Sequence, residues 1–384
     1  MASKIKPFGF LFSLAFIVLS CGKGDGGSSL SPDGEYGGNN NENGSYQPGT
    51  LTAGEWNDLD NWSFWNTIIS DNSYQQLPGY WKFYNNNRIS VKVLTQSGEP
   101  LANAKVDLKR NSTTIFTAIT DNFGKAELWM DLFQKSNSTD FSNVVITVNE
   151  TLELSNVLPY SEGINEITVD GEQPANRIEI ALVVDATGSM ADELEFIKTE
   201  LVDVVQRVQS SNSQAQIFTS ALFYRDEGDE YVTRISNFAS DISVTNSFIN
   251  NQRADAGGDT PEAVHTALDK AINELQWSAN AKTRLLFLIL DAPPHYQDNV
   301  ISSLQQSIQR GIEKGIKIIP ITASGIDKET EFLMRFMAIS TNGTYVFITD
   351  DSGVGNPHLT PTIGEHQVEY LNDLMVRLIN KYSE

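Results

Sequence analysis

Residues 177–190 read RIEIALVVDATGSM. An apolar run closes on a carboxylate, Asp185, and hydroxyls follow at Thr187 and Ser189. Unbroken apolar strands belong to sheets covered on both faces. Polar residues on alternate positions are a poor way to extend such a strand. They suit a ligand held beyond the carboxyl edge of the sheet, where open α/β folds place their sites. Taken alone, the same stretch also fits an Asp or Thr cap on the helix that follows.

Outward from this stretch the pattern alternates strand and helix to the end of the chain. Strands are expected over 179–184, 217–224, 231–235, 284–290, 317–321 and 344–348. Helices are expected over 192–209, 242–250, 261–275, 300–314, 328–338 and 367–382. The fold class is therefore α/β: a Rossmann-like, mainly parallel sheet with helices on both faces.

Two further loops carry oxygen ligands. AGGDTPEAVHTAL (256–268) sets Thr260 before Pro261, a good first helical residue. LLFLILDAPPH (285–295) ends an apolar strand on Asp291. On a parallel sheet all three loops fall on one edge, so Asp185, Thr187, Ser189, Thr260 and Asp291 can converge. Asp259, beside Thr260, is a further candidate. An all-oxygen set with two carboxylates suits a hard cation, Mg²⁺ first, with Mn²⁺ or Ca²⁺ as alternatives. Gly257 and Gly258 admit backbone angles closed to other residues, and His295 is expected on the rim.

These three motifs together resemble the von Willebrand factor A (VWA) domain and its metal-ion-dependent adhesion site. That family's pattern is D-x-S-x-S, a distant Thr and a distant Asp. Here it stands as Asp185-x-Thr187-x-Ser189, Thr260 and Asp291, with Thr keeping the hydroxyl of the first Ser. FYRDEGDEYVTR (223–234) is similar to the family's second and third strands, and the resemblance covers 176–384. It implies that Thr187, Ser189 and Thr260 bind the ion directly while Asp185 and Asp291 act largely through waters. The ion then keeps a position open for an acidic group of a protein or glycan partner.

Other chemistries fit less well. D-x-T-G-S also occurs in the phosphorylated loop of P-type ATPases, but the G-D-G-x-N-D motif which that chemistry needs is missing from this sequence. Four histidines show no zinc-hydrolase spacing, and no G-x-S-x-G elbow is present. The expectation is a binding protein and not an enzyme; a metal site that only stabilises a scaffold is the alternative. A formal net charge of -22 argues against nucleic acid.

The N-terminal half reads as accessory segments. Residues 1–20 combine Lys4 and Lys6 with a short apolar run, as in a secretory signal peptide. VLSC (18–21) resembles a bacterial lipobox, which makes Cys21 the lipidation site and the protein membrane-anchored. Gly22 after it, with no Asp signal for the inner membrane, points to the outer membrane. Residues 21–50 are a Gly-, Asn- and Ser-rich tether. Residues 51–87 hold four of the six tryptophans, and Leu59, Trp62, Phe64, Trp65 and Ile68 recur at helical spacing, which predicts a helix packed by its aromatic face. Residues 88–172 alternate as short strands. There GEPLANAKV and TDNFG resemble the carboxypeptidase-regulatory (transthyretin-like) family, which implies an all-β sandwich without peptidase activity.

Overall fold

The computed structural model describes residues 46–71, 73–136, 140–257 and 260–384. Cys21, the signal segment and nearly all of the tether lie outside them, as do Gly258 and Asp259. In chain order, β1 (Thr52–Trp56), α1 (Trp62–Ile68) and α2 (Leu77–Trp81) come first. Seven strands follow: β2 (Asn86–Thr95), β3 (Lys105–Arg110), β4 (Thr113–Ile119), β5 (Lys125–Asp131), β6 (Val144–Val148), β7 (Leu152–Leu154) and β8 (Ile164–Val169). They form a three-stranded sheet, β5-β2-β8, and a four-stranded sheet, β4-β3-β6-β7. Val91, Val93, Val106, Leu108, Leu128, Ile146 and Ile167 from both sheets lie in one buried cluster, and this two-sheet β region, expected as a sandwich, stands on the N-terminal side of the central sheet.

The rest alternates strand and helix: β9 (Ala175–Asp185), α3 (Leu194–Ser211), β10 (Gln216–Tyr224), β11 (Thr233–Ala239), α4 (Ile242–Asn250) and α5 (Val264–Asp269). Then come β12 (Ala281–Leu290), α6 (Asp298–Glu313), β13 (Lys317–Thr322), α7 (Lys328–Ser340), β14 (Tyr345–Ile348), β15 (Val368–Tyr370) and α8 (Leu371–Lys381). The central sheet runs β11-β10-β9-β12-β13-β14-β1-β15. β10, β9, β12, β13 and β14 are mutually parallel. Along β9, Ile180, Leu182 and Val184 feed one core, while Ala181 and Val183 feed the other. This two-sided burial explains why the strand carries no polar alternation.

Three expectations change. The segment 51–87 does hold a helix, α1, shorter than the periodicity suggests. It also supplies β1, which enters the central sheet antiparallel to both β14 and β15. The sheet domain is thus not confined to 176–384. The helix expected over 261–275 begins at Val264 and passes into a π-turn at Lys270–Glu274. The helix expected from 367 begins at Leu371, because Val368–Tyr370 pair with β1 as β15.

Two polar clamps hold β1 in place. The buried Glu200 carboxylate, on α3, accepts from the backbone N–H groups of Gly49 (2.8 Å), Thr50 (2.8 Å) and Leu51 (3.1 Å). At the other end, Arg335 on α7 is completely buried between two carboxylates. It donates to both oxygens of Asp58 (2.9 and 2.6 Å) and to Glu331 (3.1 Å). Tyr74 Oη and Lys328 Nζ complete the Glu331 shell at 2.8 and 2.9 Å. Trp65 stacks on Phe332 at 5.6 Å and Phe83 on Phe336 at 4.8 Å, so the aromatic segment packs on α7. The sandwich is joined to the sheet by Lys317 to Asp121 (3.0 Å) and Arg284 to Asn103 (3.0 Å).

Removing one member of a buried, hydrogen-bonded charge set leaves its partners uncompensated, at a cost of about 3–5 kcal/mol. Arg335→Ala is therefore expected to lower unfolding free energy by about that amount, read by urea denaturation. The surface variant Arg310→Ala should change it by less than about 0.5 kcal/mol.

Candidate metal centre

The register of the central strands builds the site. Asp185 lies opposite Tyr224 of β10, and Val184 opposite Ile289 of β12. Asp291 therefore stands one residue beyond the level of Asp185, on the neighbouring strand. Both are buried, at 0% and 6% exposure. Asp185 Oδ1 accepts from the Thr187 N–H at 2.9 Å and from Thr187 Oγ1 at 2.6 Å. Thr187 Oγ1 in turn lies 3.1 Å from Ser189 Oγ. Ser189 is exposed, so the group opens outward through it. Four of the five residues expected in the site are thus brought together.

The fifth, Thr260, is exposed and immediately follows the two residues that are not described. Its loop is nonetheless tied to the Asp185 loop through backbone. Gly188 N–H donates to Ala256 O at 3.1 Å, and Asp255 N–H to Ala186 O at 3.2 Å. Gly257 has φ +72°, the left-handed conformation expected of it, and packs on the Asp185 loop. His295 pairs with Asp226 at 2.7 Å, which places it beside β10 at the edge of the acidic group.

Sequence reasoning missed three acids here. Glu262, 1% exposed, hydrogen-bonds through its N–H to Pro293 O at 2.9 Å, joining the Thr260 and Asp291 loops. Glu193, also 1% exposed, accepts from Ser324 N–H at 3.1 Å and faces His358 Nε2 at 3.4 Å. Asp226 is the third. Glu262 stands two residues after Thr260, in a position that reads as ordinary helix-start acid, so the sequence alone hides its burial.

Burial raises the Asp185 carboxyl above its usual range. Burial, then the charge of Asp185, raises Asp291. Burial followed by repulsion from Asp185, Asp226 and Asp291 pushes Glu262 up to about 9. The neighbouring bases are engaged elsewhere. Arg225 donates to the backbone oxygens of Ala186 and Arg253 (3.1 and 3.0 Å), and His358 sits between Glu193 and Asp350. Asp185 Oδ2 and Asp291 Oδ1 are buried without any hydrogen-bond partner. Orphaned carboxylate oxygens of this kind call for a cation. Among the described residues no three His, Cys, Asp or Glu side chains are grouped to bind a metal by themselves, so an ion here would need the hydroxyls as well. The residues present fit a hard divalent ion.

Residues 179–354 match the family model for the von Willebrand factor A domain. This stretch of the chain is a VWA domain. Among curated proteins, a putative ariadne-like RING finger protein, R811, of Acanthamoeba polyphaga mimivirus is 33% identical over 34% of this chain and 12% of its own length. The alpha-protein kinase vwkA of Dictyostelium discoideum is 26% identical over 48% of this chain and 29% of its own. The chain thus spans under a third of either relative. Of solved structures, BatB from Bacteroides thetaiotaomicron is similar at 14% identity, covering 54% of this chain and 98% of that one with a TM-score of 0.38. An aerotolerance-related membrane protein from Bacteroides fragilis covers 53% and 99%, at 14% identity and a TM-score of 0.35.

The contact between the two VWA loops is tight enough to test. A Cβ on Gly188 would lie 2.4 Å from Ala256 O, a backbone atom, so the loop must shift to admit it. Gly188→Ala is expected to cost about 1–3 kcal/mol by overpacking, measured by thermal unfolding. It should also spread the loops and reduce any stabilisation by Mg²⁺, whereas Gly79→Ala, exposed on α2 with only an ordinary 3.7 Å contact to Tyr84, should leave that response intact.

Proposed function

We propose that this protein is an envelope-anchored binding protein whose VWA domain engages an acidic group on a protein or glycan partner through a divalent cation. Mg²⁺ is the first candidate ion, with Mn²⁺ or Ca²⁺ as alternatives. The observation that carries the reading is the pair of orphaned, buried oxygens on Asp185 and Asp291, set beside the Thr187 and Ser189 hydroxyls. Thr187, Ser189 and Thr260 would hold the ion, and Asp185 and Asp291 would support it. When bound, the ion supplies a Lewis-acidic position for a carboxylate from outside.

The role of this chain's own residues is positional. β9 and β12 fix the two carboxylates, and the backbone bonds from Gly188 and Asp255 hold the second loop against the first. Nothing in this set supplies an activated nucleophile, so the site is read as adhesive and non-catalytic. A lipid on Cys21 would hold the protein at the outer membrane. Among the described residues no helix is long and apolar enough to cross a bilayer.

Mg²⁺ at about 100 times its Kd should stabilise the folded chain by about 2.7 kcal/mol, or about 2–4 °C per kcal/mol for a domain of this class. Asp185→Ala and Asp291→Ala should remain folded by circular dichroism and lose that shift. If either variant keeps the full Mg²⁺ response, the metal assignment fails. Affinity capture from envelope extracts, wild type against Asp185→Ala, separates a partner-binding site from one that only stabilises the fold. A partner retained by wild type alone supports the adhesive role.

A further inference from the structure

A second cleft lies far from the VWA rim, where the aromatic segment meets the sandwich. It has a volume of about 530 Å³, inside the range of roughly 300–1,000 Å³ typical of small-ligand clefts. Its walls come from α1 (Trp62, Asn66), from the start of β2 (Asn85, Asn86) and from the loop before β8 (Tyr160, Glu162). Three half-buried aromatic rings, Trp62, Phe141 and Tyr160, stand among amides, with one arginine.

That arginine is not available to a ligand. Arg88 donates through Nε and one terminal nitrogen to both oxygens of Glu127 (2.8 and 3.0 Å), and through the other to Leu59 O (3.1 Å). Its guanidinium lies over the Tyr160 ring at 3.7 Å and the Trp62 ring at 4.7 Å. Arg88 therefore locks the two rings in place and spends its charge on Glu127. Trp62 is further braced by Trp129 at 5.6 Å. A phosphate or carboxylate ligand would find no free cation here, and exposed Glu162 would repel it.

Asn85 points to what the cleft does accept. It is 9% exposed, lines the cleft, and its Nδ2 has no hydrogen-bond partner. A buried amide left unsatisfied costs about 1–3 kcal/mol and calls for a partner; a neutral hydrogen-bonding ligand in the cleft is one that fits. Amides both donate and accept, as sugar hydroxyls do. Arg88 covers one face of each of the Trp62 and Tyr160 rings, and the half-buried ring surface left uncovered, with Phe141 beside it, offers apolar contact to a pyranose. We infer that this cleft is a binding site for a neutral oligosaccharide, independent of the metal and of the VWA rim.

The test is isothermal titration of the intact protein with neutral trisaccharides of glucose, galactose, mannose and N-acetylglucosamine. At least one is expected to bind with a Kd between about 10 μM and 1 mM. Binding should persist in EDTA and in Asp185→Ala. Asn85→Leu and Asn66→Ala should each weaken it about tenfold or more. Asn66 is exposed on α1, so its replacement leaves folding intact even if Asn85→Leu does not. The inference is overturned if no trisaccharide binds at about 10 mM, if Asn66→Ala binds like wild type, or if EDTA abolishes binding. The last result would move the sugar to the VWA rim, whereas a failed Mg²⁺ response with sugar binding intact would defeat only the adhesive reading.

Discussion

β9 has parallel partners on both sides, and nearly everything about the site follows from that. From Ile180 to Val184 the strand is covered above and below and carries no charge; the buried Glu179 before that run is paired with Arg177, and Asp185 falls where the sheet ends. β12, its neighbour, ends at Leu290, and Asp291 follows it directly. Two acids are thereby delivered side by side at the mouth of a low-dielectric core. Neither has a basic partner, because the bases nearby are tied to backbone oxygens or to other acids. Their repulsion, added to that from Glu262, is an electrostatic debt that a divalent ion is well suited to relieve.

Much of this was legible beforehand for a physical reason. Fully buried parallel strands leave a strong signal in sequence, and β9, β10, β12, β13 and β14 fall within a few residues of where apolar runs place them. Asp185, Thr187, Ser189 and Asp291 were readable because each immediately follows such a run. Glu262 and Glu193 were not. Their burial comes from loops meeting in space, Glu262 against Pro293 and Glu193 against Ser324, and local sequence holds no trace of such meetings.

β1 escaped for a different reason. TAGEW has weak strand character, with a glycine at its centre. The structure explains that glycine: a Cβ on Gly54 would lie 2.4 Å from the Phe347 ring. The strand is selected by what it fits against, not by its own propensity. The tryptophans behave similarly. Trp65 is a core residue, as helical spacing suggests, and Trp81 on α2 is another, whereas Trp62 turns to the two-sheet β region, where Trp129 and Arg88 pack on it. One aromatic-rich segment therefore serves two neighbours.

The insertion of β1 also decides how tension would travel through the molecule. Chain entering at Tyr46 reaches Glu200 and the central sheet before it reaches any strand of the sandwich. A pull on that end is borne first by β1, lying between β14 and β15 with its pairing bonds loaded in shear. The sandwich, sewn in between β1 and β9, hangs as a side branch and stays slack. Load applied between that end and the rim of the sheet would thus pass through a single layer of strands.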